Sequence, residues 1–279
     1  MVSSKKALLA GVLASVVLAQ SAFGAEKDGV FVGVELGANK VKFKQTLDYT
    51  MGPASISGDI KADNLMPSIA VKGGYKWFFG TQRKFGVRAY GQVGVGHGRL
   101  VNVEYSDSLM GMLMGQAQLL GGITDQALQQ AAAKQAASSV FTGTGKTYYT
   151  TFIDYYVGAD LLYNFDPKND DITWGVYAGV GVGGVTWAAN GKEYEVSNGK
   201  RSYTNFAANA NLGLRVSVKE NHEIDLGART YFPKSKLFKA SNGTSPLIPE
   251  AMRQMTSVKD TKTYHYRPFS VMLSYIYNF

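Results

Sequence analysis

Phe269, Val271, Leu273, Tyr275, Tyr277 and Phe279 are apolar at every second position, with Ser270, Ser274 and Asn278 between them. Alternation of period two is the signature of a β-strand with one face in an apolar medium. Seven further segments repeat it, which confines the chain to an all-β architecture. The eight candidate strands are Gly29–Asn39, Leu65–Phe79, Phe85–Tyr105, Thr147–Phe165, Ile172–Ala188, Ser202–Val218, His222–Phe232 and Thr263–Phe279. Each is long enough for the ~9–11 tilted residues with which a strand crosses a membrane.

The connections alternate in length. Short turns fall at Gly80–Lys84, Asp166–Asp171 and Lys219–Asn221, and long segments at 40–64, 106–146, 189–201 and 233–262. Short turns at one end and long loops at the other distinguish an outer-membrane barrel from a soluble sandwich. Aromatics sort the same way. Trp77, Phe79, Phe85, Tyr163, Phe165, Trp174, Tyr277 and Phe279 fall at the short-turn, periplasmic ends. Tyr105, Tyr148, Tyr149, Trp187, Tyr203, Tyr231, Tyr264 and Tyr266 fall near the outer ends. Two girdles at the headgroup levels follow. The reading is an eight-stranded antiparallel up-and-down transmembrane β-barrel with short periplasmic turns and long extracellular loops.

Composition agrees. Only 18% of residues are charged, and a mean hydropathy of −0.11 is what alternating lipid-facing and lumen-facing residues average to. Lys5 and Lys6, the apolar run Ala7–Ala19, and Ala22 and Gly24 read as a signal peptide over residues 1–24, leaving a barrel over 25–279. There is no cysteine, which excludes disulfides, thiol chemistry and cysteine-ligated zinc. The net charge of +8 becomes +6 once Lys5 and Lys6 leave. That surplus suits an anionic lipid surface, with outer-membrane lipid and lipopolysaccharide as expected partners and nucleic acid not among them.

The opposite parity of the strands is polar. Glu35, Lys72, Lys76, Arg88, Asp154, Asp160, Arg215, Asp225 and Arg229, with Gln92, Asn209 and Asn211, are expected to face inward. Eight strands enclose an interior that side chains just fill, so these residues are read as a polar, salt-bridged plug; the alternative is a narrow pore. Gly175, Gly179, Gly181 and Gly183 are expected to make room for Tyr177 or an arginine. In the second loop a methionine-rich run (Leu109–Leu120) precedes a candidate helix from Thr124–Asp125 through Ala136, read as a lid or docking segment. The fourth carries Lys234, Lys236, Lys239, Arg253, Lys259 and Lys262, read as a contact for phosphates or acidic host glycans. Hydrolase and phosphate-loop motifs are absent, and the histidines His97, His222 and His265 are scattered. His97 and His265 have the outward parity that a lipid-modifying or proteolytic site would want, but neither has an acid in register. No catalysis and no cofactor are expected.

The segments AEKDGVFVGVELG (Ala25–Gly37) and FSVMLSYIYNF (Phe269–Phe279) resemble the Helicobacter outer membrane protein family. The resemblance implies an outer-membrane barrel of a Gram-negative bacterium, with some relatives adhesins or porins. It also implies that Tyr275, Tyr277 and Phe279 serve as the signal read by the barrel assembly machinery. Adhesins of that family carry a large cysteine-paired external domain, from which this cysteine-free chain departs. The function so read is structural or surface-interacting, through loops contacting lipopolysaccharide, partners or host molecules, by a monomeric barrel.

Overall fold

Strands whose two faces meet different media must close on themselves, because an open edge in lipid leaves backbone amides unsatisfied. A computed structural model shows that closure. It describes residues 28–51, 54–99, 101–108, 110–111, 149–165, 172–189, 202–219, 221–241 and 257–279. The strands are β1 (Gly29–Met51), β2 (Ala54–Phe79), β3 (Phe85–Arg99), β4 (Val101–Tyr105), β5 (Tyr149–Asn164), β6 (Ile172–Ala189), β7 (Ser202–Val218), β8 (His222–Phe232), β9 (Ser235–Ser241) and β10 (Ser257–Asn278). All pairings are antiparallel, in the order β1-β10-β8-β7-β6-β5-β3-β2, and β2 returns to β1. β4 prolongs β3 along β2, and β9 prolongs β8 along β10. The ten strands therefore make eight staves.

The molecule is inside-out relative to a soluble protein. Val93, Val157, Leu161, Val180 and Leu212 are 59–68% exposed on the outer wall, while the charged residues are buried within. An apolar band of this extent is stable only against lipid. The periplasmic girdle is present at Trp77, Phe79, Phe85, Phe165, Trp174 and Phe279. Two short turns are built on left-handed backbone: Gly80 and Arg83 in one, Lys219 in the other. Asn221 ties the latter to the seam, its side-chain amide donating to the Asn278 carbonyl at 2.8 Å.

Three expectations are corrected. Segment 40–64, expected as a long loop, is a hairpin: β1 and β2 stay in register to Met51 opposite Ala54. Alternation continues there with the faces exchanged. Lys40, Lys42 and Lys44 point outward and Val41 and Phe43 are buried inside, because beyond the bilayer the outer face meets water. Ser57, Asp59 and Ser106 then bond the hairpin to the start of the next connection. Second, β9 and the early start of β10 take up both ends of segment 233–262. Third, Trp187 and Tyr231 leave the outer girdle. Trp187 is 2% exposed, packed inside at a tilt against Phe152, and Tyr231 turns in toward Arg267. The signal peptide, the methionine-rich run apart from Met110 and Gly111, and the candidate helix lie outside the described residues.

Candidate functional site

The barrel interior is the chemically distinctive region, and strand parity alone brings its parts together. β2 supplies Lys72 and Lys76, β3 Arg88 and Gln92, β5 Asp154 and Asp160, β7 Arg215, β8 Asp225 and Arg229, and β1 Glu35. All are 5% exposed or less.

They assemble in layers. In the periplasmic half Arg88 bridges Asp160 at 2.7 Å, Glu223 at 2.7 Å and Asp225 at 2.8 Å. Glu223 also takes Lys76 at 2.6 Å and Arg215 at 2.8 Å. At mid-height Arg229 holds Glu35 at 2.9 Å, Gln92 donates to Glu35, and Lys72 stands 3.6 Å from Asp225 and 3.8 Å from Glu35. Higher, Arg267 pairs with Asp154 at 2.6 Å and donates to the Tyr156 hydroxyl at 3.0 Å. Its guanidinium lies between the Tyr231 and Phe152 rings, 3.8 and 4.2 Å from their centres. The outermost layer is apolar: Phe43, Met66, Phe152 and Trp187 are all buried, with His265 4.8 Å from Trp187 between ring centres.

Among the described residues the buried charges are six cations (Lys72, Lys76, Arg88, Arg215, Arg229, Arg267) and five carboxylates (Glu35, Asp154, Asp160, Glu223, Asp225). Each carboxylate meets at least one cation and each cation at least one carboxylate, so opposite charges are paired where water does not reach, with one positive charge in excess. Room for the large groups comes from glycine at facing positions on neighbouring strands. Tyr177 rests on Gly213 and Gly227, where a Cβ would collide with its ring and hydroxyl; Gly175 admits Arg215, and Gly179 faces Asp160.

Two members were not foreseen, Glu223 and Arg267. Glu223 has the inward parity of Asp225 and Arg229 but lies beside a turn. Arg267 is hidden by a bulge: Phe269 pairs with Lys40 and Tyr266 with Lys42, so Arg267 and Pro268 together oppose Val41. That extra residue flips the parity of β10 beyond it. Ser270 and Arg267 consequently both face inward, as does His265, correcting its expected outward placement. A proline within a strand was the signal available. His97 remains outside, stacked on Tyr149 at 5.3 Å.

The three terminal aromatics sit at the seam. Tyr275 is exposed and its hydroxyl is 2.7 Å from Nδ1 of His222. Tyr277 is covered by His222 and Phe279, and the Phe279 amide donates to the Val30 carbonyl at 2.9 Å. No set of three or more metal-ligating side chains is found among the described residues.

Residues 70–279 match the family model described as Helicobacter outer membrane protein. The chain belongs to that family. The matched span contains the Phe269–Phe279 segment and begins after Ala25–Gly37. No curated protein matches the chain. Among solved structures, it is similar to the outer membrane protein OprG from Pseudomonas aeruginosa at 13% identity, covering 92% of this chain and 98% of that one with a TM-score of 0.49. Ail, the attachment invasion locus protein of Yersinia pestis, gives 12% identity, 91% and 99% coverage and a TM-score of 0.35. The outer membrane protease OmpT from Escherichia coli gives 9%, 93%, 99% and 0.35. Likenesses this distant carry no functional argument.

Proposed function

We propose that this outer-membrane barrel has a structural or surface-interacting role, with its lumen a permanent plug and its work done at the outer face. One observation carries the reading: Arg88 on β3 reaches carboxylates on β5 and β8 at once. Such a cross-lumen clamp occupies the space a conduction path would need, in a barrel already narrow by strand number. The apolar layer around Phe43 and Trp187 closes the same path nearer the cell exterior. His97 and His265 lie on opposite sides of the wall, and this reading assigns catalysis to neither. In this reading the chain is exported by residues 1–24 and works as a monomer. Tyr275, Tyr277 and Phe279 are the assembly signal, and outer loops meet lipopolysaccharide or host molecules.

The test is single-channel recording of the refolded mature chain in planar bilayers, with heat-modifiable gel mobility as the folding control. A folded barrel that stays silent is expected. Reproducible unitary steps would overturn the plug and make a narrow pore for ions or small solutes the function.

A further inference from the structure

One quadrant of the outer rim is cationic, and apart from Lys234 its cations lie outside the fourth-loop segment read from the sequence as the basic contact. Just above the lipid-facing Leu36, the outward positions of β1 are Lys40, Lys42 and Lys44. Register sets Lys42 between Tyr266 of β10 and Asp63 of β2, and Lys44 between Tyr264 and Lys61. The Lys234 ammonium lies 4.9 Å from the centre of the Tyr266 ring. Arg99 is exposed at the outer end of β3, on the same flank.

Four carboxylates share this surface, the outermost being Asp48 on β1, which accepts from the Ser57 hydroxyl at 2.6 Å. Asp63 pairs with Lys40 at 2.8 Å and Asp59 with Lys44 at 2.9 Å; Glu104 stands opposite Lys61 in register without an ion pair. Lys42 and Lys61 form no salt bridge with a described residue. Cations therefore outnumber acids, and successive lysines on one strand face stand only about 7 Å apart. Like charges at that spacing repel unless an anion sits between them. Among the described residues the opposite rim lacks this character: the outward residues at the outer ends of β5, β6 and β7 include Tyr149, Thr151, Thr186 and Thr204.

Below the cations the wall turns apolar at once. Leu36, Leu65 and Phe269 are each about half exposed, and Leu65 and Phe269 flank Lys40 in register. Lysines over an apolar step, beside tyrosine rings, match an amphiphile whose phosphates sit directly above its acyl chains. We propose that this belt seats the phosphates of the glycolipid that fills the outer leaflet, its acyl chains lying on Leu36, Leu65 and Phe269. The inference rests on the surface role above and names the partner of that surface.

The test reconstitutes the refolded mature barrel in nanodiscs containing diphosphoryl lipid A, phosphate-free lipid A or phosphatidylcholine alone, and measures co-retained lipid by native mass spectrometry. Diphosphoryl lipid A should be retained selectively, less so as salt is raised. The triple variant Lys42→Gln, Lys61→Gln, Lys234→Gln should weaken retention at least about tenfold, and the Lys→Arg triple should restore it. Equal retention of the phosphate-free lipid, or an unchanged glutamine variant, overturns the inference alone. So does competition by inorganic phosphate as strong as that by lipid A, since it would mark an ion site without lipid. A wild-type chain that fails to insert overturns the outer-membrane role and the inference together.

Discussion

Glu223 shows how much of the interior can hang on one side chain. It is fully buried and receives Lys76, Arg88 and Arg215. Removing one partner from a buried ion pair leaves charge with neither water nor counter-ion, at a typical loss of roughly 3–5 kcal/mol. Glu223→Leu should destabilise the barrel by about that amount in urea-titrated unfolding from lipid vesicles, whereas Thr186→Val on the outer wall should change it by less than about 0.5 kcal/mol. A cost for Glu223→Leu as small as for Thr186→Val would mean that Asp160 and Asp225 can satisfy the cations alone. Inward members such as Arg88 and Asp225 were readable from parity because strand alternation runs unbroken through them. Arg267 was not, because one extra residue at Pro268 reverses parity while composition stays the same.

At the scale of elements, the apolar half of the pattern was the legible half. The strands are recognisable where they cross lipid and lost where they leave it, since at Lys40 the outer face becomes charged while the ladder continues. Alternation of polarity locates the bilayer boundary, whereas the end of the strand depends on backbone pairing that a polarity pattern does not encode. The protruding hairpin has a pH dependence of its own. Burial alone would raise the Asp59 carboxyl, but the Lys44 ammonium and the Thr46 hydroxyl outweigh it and hold it below its ordinary value. A lowered folded pKa adds stability at neutral pH that is lost as pH falls through that depressed value. Amide protection between Lys44 and Asp59 should therefore decline on acidification below the usual carboxylate range, measured by hydrogen exchange corrected for intrinsic rates. Asp59→Asn should remove the dependence; an unchanged profile in that variant would assign it to another group.

For the whole molecule, the decisive property is the inversion of polarity between wall and lumen. Val93, mid-wall on β3 and 59% exposed, faces the hydrocarbon. Val93→Arg should cost roughly 2–4 kcal/mol in vesicle refolding and nearly nothing in a detergent that lets the guanidinium reach water. Equal effects in both media would refute the lipid-facing assignment. The seam has a further consequence, in time. Ser274 donates to Glu35 across 239 residues of chain, and β1 has no partner on one side until β10 arrives. Contacts so distant in sequence are slow to form. For most of its synthesis the chain must hold a set of unpaired charges and an open strand edge that only its final stave can retire. The interval before closure is when it is most exposed to aggregation, so what escorts β1 during that wait governs how much of the protein ever becomes a barrel.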